Sequence, residues 1–513
     1  MKSKAFVQFF FAVMLAGALA LPVQLAAQGN PQYKLIDLGT FGGPNSFPSP
    51  AGPGVPILNN AGTVAGWADT TTPDPTCFGN DGLCLLTHAF RWDNGILTDL
   101  GALPGVNSSA AVAINARGWI LGASENGLTD PATGGPEVHA VLWKGDQITD
   151  LGTLGANFVL PQTLNNVGQA VGGTPNTIPD PFSLIGAPTQ TRAFLWQNGV
   201  MQDLGTLGGP DAFAFSLNEH GQVAGMSYAN ATPNDTTGIP TLEPFLWDHG
   251  KMISLGTLGG TIGSPGAEGA IMINNRGQII GTSNLSGDQF THAFVWENGV
   301  MTDLGTLGGH NSYPLWINDA GKIVGEADTS DVENALGQFP HHAFLWRNGS
   351  MRDLGTLGST SHAEAINARD QVVGRSRLGS EISVLQHAFF WEDGGAMIDL
   401  NTLIPSGSSL QLIDAVNIND RREILVVGLP LGVEPVEGAQ LGHLALLIPC
   451  NGAEPGCEDN ASSAKAAVST SPALATKTAL STQGRSIPYG TLAARRARMA
   501  QRYHLPGEIT PKD

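Results

Sequence analysis

Histidine and aspartate recur eleven positions apart along this chain, in the pairs His88 with Asp99, His139 with Asp150, His292 with Asp303 and His342 with Asp353. His387 and Asp399 stand one residue further apart, because Gly395 is inserted between them. An imidazole and a carboxylate within reach of one another can act as a general base or supply ligands to a metal. Two departures point to a different use. One copy has Arg192 with Asp203, which keeps a cation facing the carboxylate; another has Glu243 with Ser254, where the acid reaches the first position only as it leaves the second. Change at one position is answered at the other, as a partly buried carboxylate in need of a donor requires. One imidazole per repeat around a ring would also sit too far from the others to share an ion, since zinc ligands lie about 2.0–2.1 Å from the metal. The pairs are therefore read as structural, and the same reading predicts that His443 meets Asp37.

The elements that must position these pairs are spelled out in the sequence. Residues 342–358 read HAFLWRNGSMRDLGTLG, with near-copies starting at 88, 139, 192, 243, 292 and 387. A second phrase follows, as in INDAGKIVG at 317–325 and INARDQVVG at 366–374. Each unit reads as four short strands: A (HAFLW), B (MxDLG), C (ending in Ile-Asn) and D (VVGxS). Asn-Gly at 94–95, 198–199, 298–299 and 348–349 joins A to B, and it supplies the two positive-φ residues of a type I′ hairpin turn. Counting through that turn places Phe90 opposite Asp99 and His88 diagonal to it, close enough to bond.

Strand A has a degenerate last copy at 443–448, whereas the first strand B, at 33–39, has no A before it. A chain that starts on a B and ends on an A can close a ring by pairing the two. The fold expected is all-β, an eight-bladed β-propeller of four-stranded antiparallel blades, ordered C, D, A, B with the small-residue strand C innermost. Trp92, Trp143, Trp196, Trp247, Trp296, Trp346 and Trp391 fill one slot at the end of strand A and face the Met or Leu of strand B, a packing role.

Composition suits short strands and tight turns: 513 residues, 67 Gly, 33 Pro and only 13% charged. Residues 1–27 carry Lys2 and Lys4, an apolar run and Leu25-Ala26-Ala27, the order of a secretory signal peptide. The propeller is expected over 28–449. Residues 450–513 follow as a disulfide turn, a low-complexity linker and a basic tail with a helix pattern at 491–504. In an exported chain Cys77 with Cys84, and Cys450 with Cys457, read as two local disulfides. No second apolar run nears the roughly 18 residues that cross a bilayer, so the mature chain is expected to have no transmembrane span and to be monomeric. Net charge is −19, and residues 461–513 hold eight Lys/Arg against Glu508 and Asp513, so the body is more acidic still. An acidic body excludes nucleic acid as a partner and leaves an extracellular ligand, glycan or protein.

No nucleophile, zinc-protease or phosphate-loop motif stands out, so no catalytic residue is assigned and no cofactor is expected; a calcium site lacks its D-x-D-x-D-G signature. Sequence varies most between D and the next A, which makes those loops the expected recognition surface. The candidate binding residues are Trp67, Trp119 and Trp316, which lie outside the repeated tryptophan slot, with Asp331 and Glu333 in the loops. The repeated HAFLWxNGxMxDLGTLGG, followed by SxAxxINxxGxVVGxS, resembles the HAF family of bacterial extracellular repeat proteins over about residues 33–449. That resemblance implies an exported bacterial protein, secreted or held in the periplasm or envelope, with no activity to carry onto particular residues. The Pro-Glu-Pro sorting tail of some relatives has no counterpart here. Three functions fit: a non-catalytic secreted binding scaffold, a carbohydrate-active hydrolase or lyase on a propeller, and a structural or adhesive envelope protein.

Overall fold

The computed structural model describes residues 33–52, 54–75, 83–105, 107–130, 134–235, 237–263, 270–334, 339–379, 385–433, 442–450 and Cys457. The expected signal peptide, Cys77 and the linker and tail beyond Cys457 lie outside the described residues. Within them, 32 strands build eight four-stranded antiparallel sheets. The chain is an eight-bladed β-propeller. No described helix is long and apolar enough to cross a membrane, which says nothing of β-barrels.

The hairpins form where the sequence demands them. Asn94 and Gly95 have φ of 49° and 86°, and the same pair of positive angles recurs at Asn198-Gly199, Asn298-Gly299 and Asn348-Gly349. Blade six is representative: strand C Ser312–Ile317, D Ile323–Asp328, A His341–Arg347 and B Ser350–Asp353, paired in that order. Blade seven repeats it with Ser361–Ile366, Val372–Arg377, Gln386–Trp391 and Ile398–Asp399. Because neighbouring strands run antiparallel, the C–D and A–B turns emerge on one face, the turn face. The D–A loops and the links to the next blade emerge on the other, the loop face.

Two features make the ring. The first strand, Tyr33–Asp37, pairs antiparallel with the last, His443–Pro449, so both ends of the chain share blade eight. At the turn face, the Asn of each Ile-Asn phrase donates through Nδ2 to the backbone carbonyl of its counterpart in the next blade. These bonds run Asn59, Asn115, Asn165, Asn218, Asn274, Asn318, Asn367, Asn419 and back to Asn59, at 2.9–3.2 Å. A closed circuit of bonds this short must run where the circumference is smallest, which puts the C–D turns at the axis. The core is divided among the blade interfaces, with strand A residues such as Phe344 and Phe389 wholly buried between neighbouring sheets.

Strand C carries a β-bulge in most blades, as between Pro314 and Trp316 and between Ala363 and Ala365. The bulge brings a strand C carbonyl against the glycine of VVG in strand D. A Cβ on Gly325 would strike the Tyr313 carbonyl oxygen, and one on Gly374 that of His362.

Candidate functional site

The paired histidines and aspartates lie one pair per blade on the loop face. His88 Nδ1 meets Asp99 at 2.8 Å, His139 meets Asp150 at 2.8 Å, His292 meets Asp303 at 2.9 Å, His342 meets Asp353 at 2.9 Å, and His387 meets Asp399 at 2.6 Å. Arg192 forks onto Asp203 through Nε and Nη2, the Ser254 hydroxyl donates to Glu243, and His443 bonds Asp37 across the chain ends at 2.8 Å. The other carboxylate oxygen of each Asp accepts the N–H two residues on, as Asp99 does from Gly101 and Asp150 from Gly152, and so fastens the bend after strand B. Burial alone would raise Asp99, but the bond to His88, the Gly101 N–H and the imidazole charge hold it below the usual range; Asp37, Asp150, Asp303 and Asp399 behave alike. The Asp150 bond raises His139, and the Asp37 bond raises His443.

The tryptophan candidates fall in different settings. Trp67 is buried, stacked on Phe47 at 4.2 Å, with its indole N–H on the Pro48 carbonyl. Trp316 packs against two of the blade-interface cores. Trp119 lies at the C–D turn of blade two, half-buried beneath the Lys144 ammonium, which stands 3.9 Å from the ring centre. Asp331 and Glu333 are exposed on the D–A loop of blade six. The structure does not gather these five residues into one site.

What it does gather is a set of polar side chains at positions where other blades are apolar or small. The strand D slot that pairs with the residue after the strand A histidine position holds Trp67, Ala123, Gly173, Met226, Thr282 and Val427 in six blades, but Glu326 in blade six and Arg375 in blade seven. Each slot meets strand C of the following blade, as where a Cβ on Gly173 would run into the Phe213 ring. At the interface of blades six and seven, Glu326 instead meets His362; at the next, Arg375 meets Asp414.

His362 also points Nε2 at Nε2 of His341, 3.0 Å away, and His341 Nδ1 bonds the Phe339 carbonyl at 3.1 Å. Arg375 Nη1 is gripped by Glu364 at 2.5 Å and by Asp414 at 3.1 Å. Glu364 occupies the strand C bulge of blade seven, a position that re-aims a side chain. Only 4% of Glu326 is exposed, and burial pushes its carboxyl above the ordinary range, as it does those of Asp328 and Asp414. Buried ionisable groups cost several kcal/mol apiece unless paired or bound, and here they are paired with one another across two blade interfaces, which makes the cluster the candidate site.

The disulfide Cys450–Cys457 is formed, and Cys84 is disulfide-bonded. Glu326, His341, His362, Glu364, Arg375 and Asp414 were invisible to a reading that weighed what repeats. The signal available was the opposite one: the copies aligned column by column show an acid, a histidine or an arginine where neighbours carry uncharged residues, apolar in most columns and Thr or Gln in that of His341.

No protein-family model matches the chain, and no curated protein is similar to it. Among solved structures, it is similar to the β-propeller domain of the Trilobed protease from Pyrococcus furiosus, at 10% identity over 57% of this chain and 78% of that one, with a TM-score of 0.35. It is similar to the acylaminoacyl peptidase of Pyrococcus horikoshii at 11% identity, 64% and 51% coverage and a TM-score of 0.35, and so spans about half of that enzyme. The putative TolB of Agrobacterium tumefaciens gives 10% identity, 52% and 86% coverage and a TM-score of 0.31. Likeness at this level says nothing of what this chain binds or does.

Proposed function

We propose that this protein is an exported bacterial binding scaffold, non-catalytic, which holds a neutral or cationic extracellular ligand on the loop face around blades six to eight. One observation carries the reading: polar residues converge at two adjacent blade interfaces while the frame of strands repeats unchanged around them. Asp331 and Glu333 stand exposed just after strand D of blade six, and His341 opens strand A at the same, loop, face. Four carboxyls, Glu326, Asp328, Glu364 and Asp414, gather here, and Arg375 is bonded to two of them, a balance that favours cationic or hydroxyl-rich ligands over anions.

Hydrolysis of a glycosidic bond is less well supported. In this sector Glu364 and Asp414 grip the same Arg375 nitrogen, which fills the space that a scissile oxygen would need between an acid and its partner. The likeness to HAF repeats supports export, and the basic tail at 458–513 supports attachment to an anionic envelope as a secondary role.

The test is a glycan and peptide array probed with the secreted chain, beside a variant with Asp331→Ser and Glu333→Ser. The scaffold reading expects one ligand class to be retained, without turnover, and weakened at least about tenfold in the variant, which corresponds to about 1.4 kcal/mol. Release of a cleaved product, or retention indifferent to the loop, overturns it.

A further inference from the structure

We infer that Glu326, His341 and His362 form a binding site for one divalent transition-metal ion, zinc being the ion whose ligand preferences the set matches. One ligand atom from each of the three side chains lies within 4.8 Å of the others. They come from three strands: D and A of blade six, and C of blade seven. The ion would therefore bridge two blades. Two imidazoles and a carboxylate are the donors of a three-ligand zinc site that keeps a fourth position open. His362 can give one ion only one of its nitrogens, and Nδ1 is the one beside Glu326 Oε2, so that nitrogen and the carboxylate are the pair that faces a shared ion.

The tautomers support this arrangement. His341 Nδ1 faces the Phe339 carbonyl, which can only accept, so Nδ1 carries the proton and Nε2 presents its lone pair. A histidine ligand orients its metal-binding nitrogen in this way, by donating its other N–H to a backbone carbonyl. Glu326 Oε2 is in ion-pair contact with His362 Nδ1 and accepts no hydrogen bond of regular geometry among the described residues. A metal-free chain must place protons between these groups to separate their lone pairs; one divalent cation does the same and faces the nearly buried Glu326 carboxylate.

The surroundings fit as well. The one nearby guanidinium, Arg375, is held by Glu364 and Asp414, so its charge is already answered. Both histidines keep some exposed surface at the ends of their strands on the loop face. At the equivalent columns other blades have Thr87, Val138, Thr191, Leu242, Thr291 and Gln386 for His341, so only here is the side chain an imidazole, and Ala110, Phe213 and Tyr313 for His362. Three departures from the repeat, on three strands, meet at one point.

The site does not depend on what the scaffold binds, and its test reads the metal directly. The secreted chain, purified without a polyhistidine tag and stripped with a chelator, is titrated with Co²⁺ and followed by its visible absorption, then with Zn²⁺ as competitor. The expectation is one equivalent of cobalt, an absorption typical of four or five ligands, displacement by zinc and indifference to millimolar calcium. Glu326→Gln, which keeps the shape of the side chain, and His341→Ala should each weaken binding by at least the roughly 10–100-fold that loss of even an outer-shell partner costs. His249→Ala, at an exposed hairpin turn, should leave binding unchanged. A stripped wild-type chain that takes up no cobalt overturns the site, whatever the variants do. Stoichiometric binding that survives both ligand substitutions, or that is lost in His249→Ala, overturns it equally.

Discussion

Asp211 has no exposed surface, yet it must accommodate a carboxyl whose oxygens accept the N–H groups of Leu184 at 2.6 Å and Thr191 at 3.0 Å. Burial, with the Asp180 carboxyl beside it, pushes Asp211 up to about 8. A folded value above the unfolded 3.8 means that the native state binds the extra proton, so the stability this group contributes is complete below about pH 4 and is lost as pH rises towards 8. His139 and His443 act in the same direction from 6.5 upward, whereas the lowered aspartates withdraw stability only in acid, below 3.8. Urea unfolding between pH 4 and 6.5 should therefore show a decline to which Asp211 contributes at most about 1.4 kcal/mol per pH unit, beside the contributions of the other raised carboxyls, Glu326, Asp328 and Asp414. Asp211→Asn should flatten that decline while costing about 1–3 kcal/mol at acid pH, because the amide nitrogen cannot accept from Leu184 or Thr191. A slope unchanged by the substitution would assign the titration elsewhere. The structural roles of His88 and Asp99 were legible from the swaps at Arg192 and at Glu243 with Ser254, because covariation between copies reports a contact. The polar sector at blades six to eight was not legible that way, since each of its residues occurs once and has no second copy to vary with.

At the scale of the strand, the hairpins were the most readable elements, because Asn-Gly at 348–349 leaves few backbone options open. The strand C bulge was the least readable. It leaves no residue of its own in the sequence, only the invariant-looking glycine of VVG on the strand beside it. That glycine is a close-approach position and not a flexible one. Gly374→Ala should cost about 1–3 kcal/mol in urea unfolding, because the added methyl meets the His362 backbone carbonyl and the strand must move. Gly325→Ala should cost as much, against the Tyr313 carbonyl. The comparison is Gly349→Ala, at a φ of 80° with open space around the missing Cβ. Only backbone strain of about 1–2 kcal/mol is expected there, with no repacking. Both strand substitutions bear on the polar sector, since His362 and Tyr313 stand beside Glu326. Cobalt uptake should thus fall with Gly374→Ala and stay intact with Gly349→Ala; equal effects would separate the bulge from the site.

At the scale of the whole ring, the decisive contact is the one with the greatest separation in sequence. Tyr33–Asp37 and His443–Pro449 pair over five rungs, His443 bonds Asp37, and Asn419 reaches the Asn59 carbonyl at 3.0 Å to complete the circuit at the axis. The complementary ends of the sequence made this closure readable, while the asparagine circuit emerged only once the turns were placed around an axis. The two devices differ in consequence. His443 and Asp37 are a partly exposed pair, and such pairs contribute about 0–1 kcal/mol, so His443→Ala alone should barely move the urea midpoint. Asn419→Ala removes a buried donor and takes from the Arg421 and Glu423 N–H groups the Oδ1 that accepts them, at about 1–3 kcal/mol, while the Asn59 carbonyl keeps the Gly62 N–H. Removing Tyr33–Asp37 takes away the whole outer strand of blade eight and exposes the edge of His443–Pro449 along with its buried Leu444 and Leu446. Blade eight then meets solvent on an apolar strand, and its neighbours lose a partner on one side only. Unfolding of the truncated chain should split into two transitions, the first reporting blade eight and the second the remaining arc, as in open repeat arrays whose units touch only their neighbours. Tryptophan fluorescence and far-ultraviolet circular dichroism would then cease to coincide in urea, while in the full chain they superimpose. A single coincident transition in the truncated chain would mean that the eight blades are held by the axial asparagine circuit and that the shared blade only trims its edge.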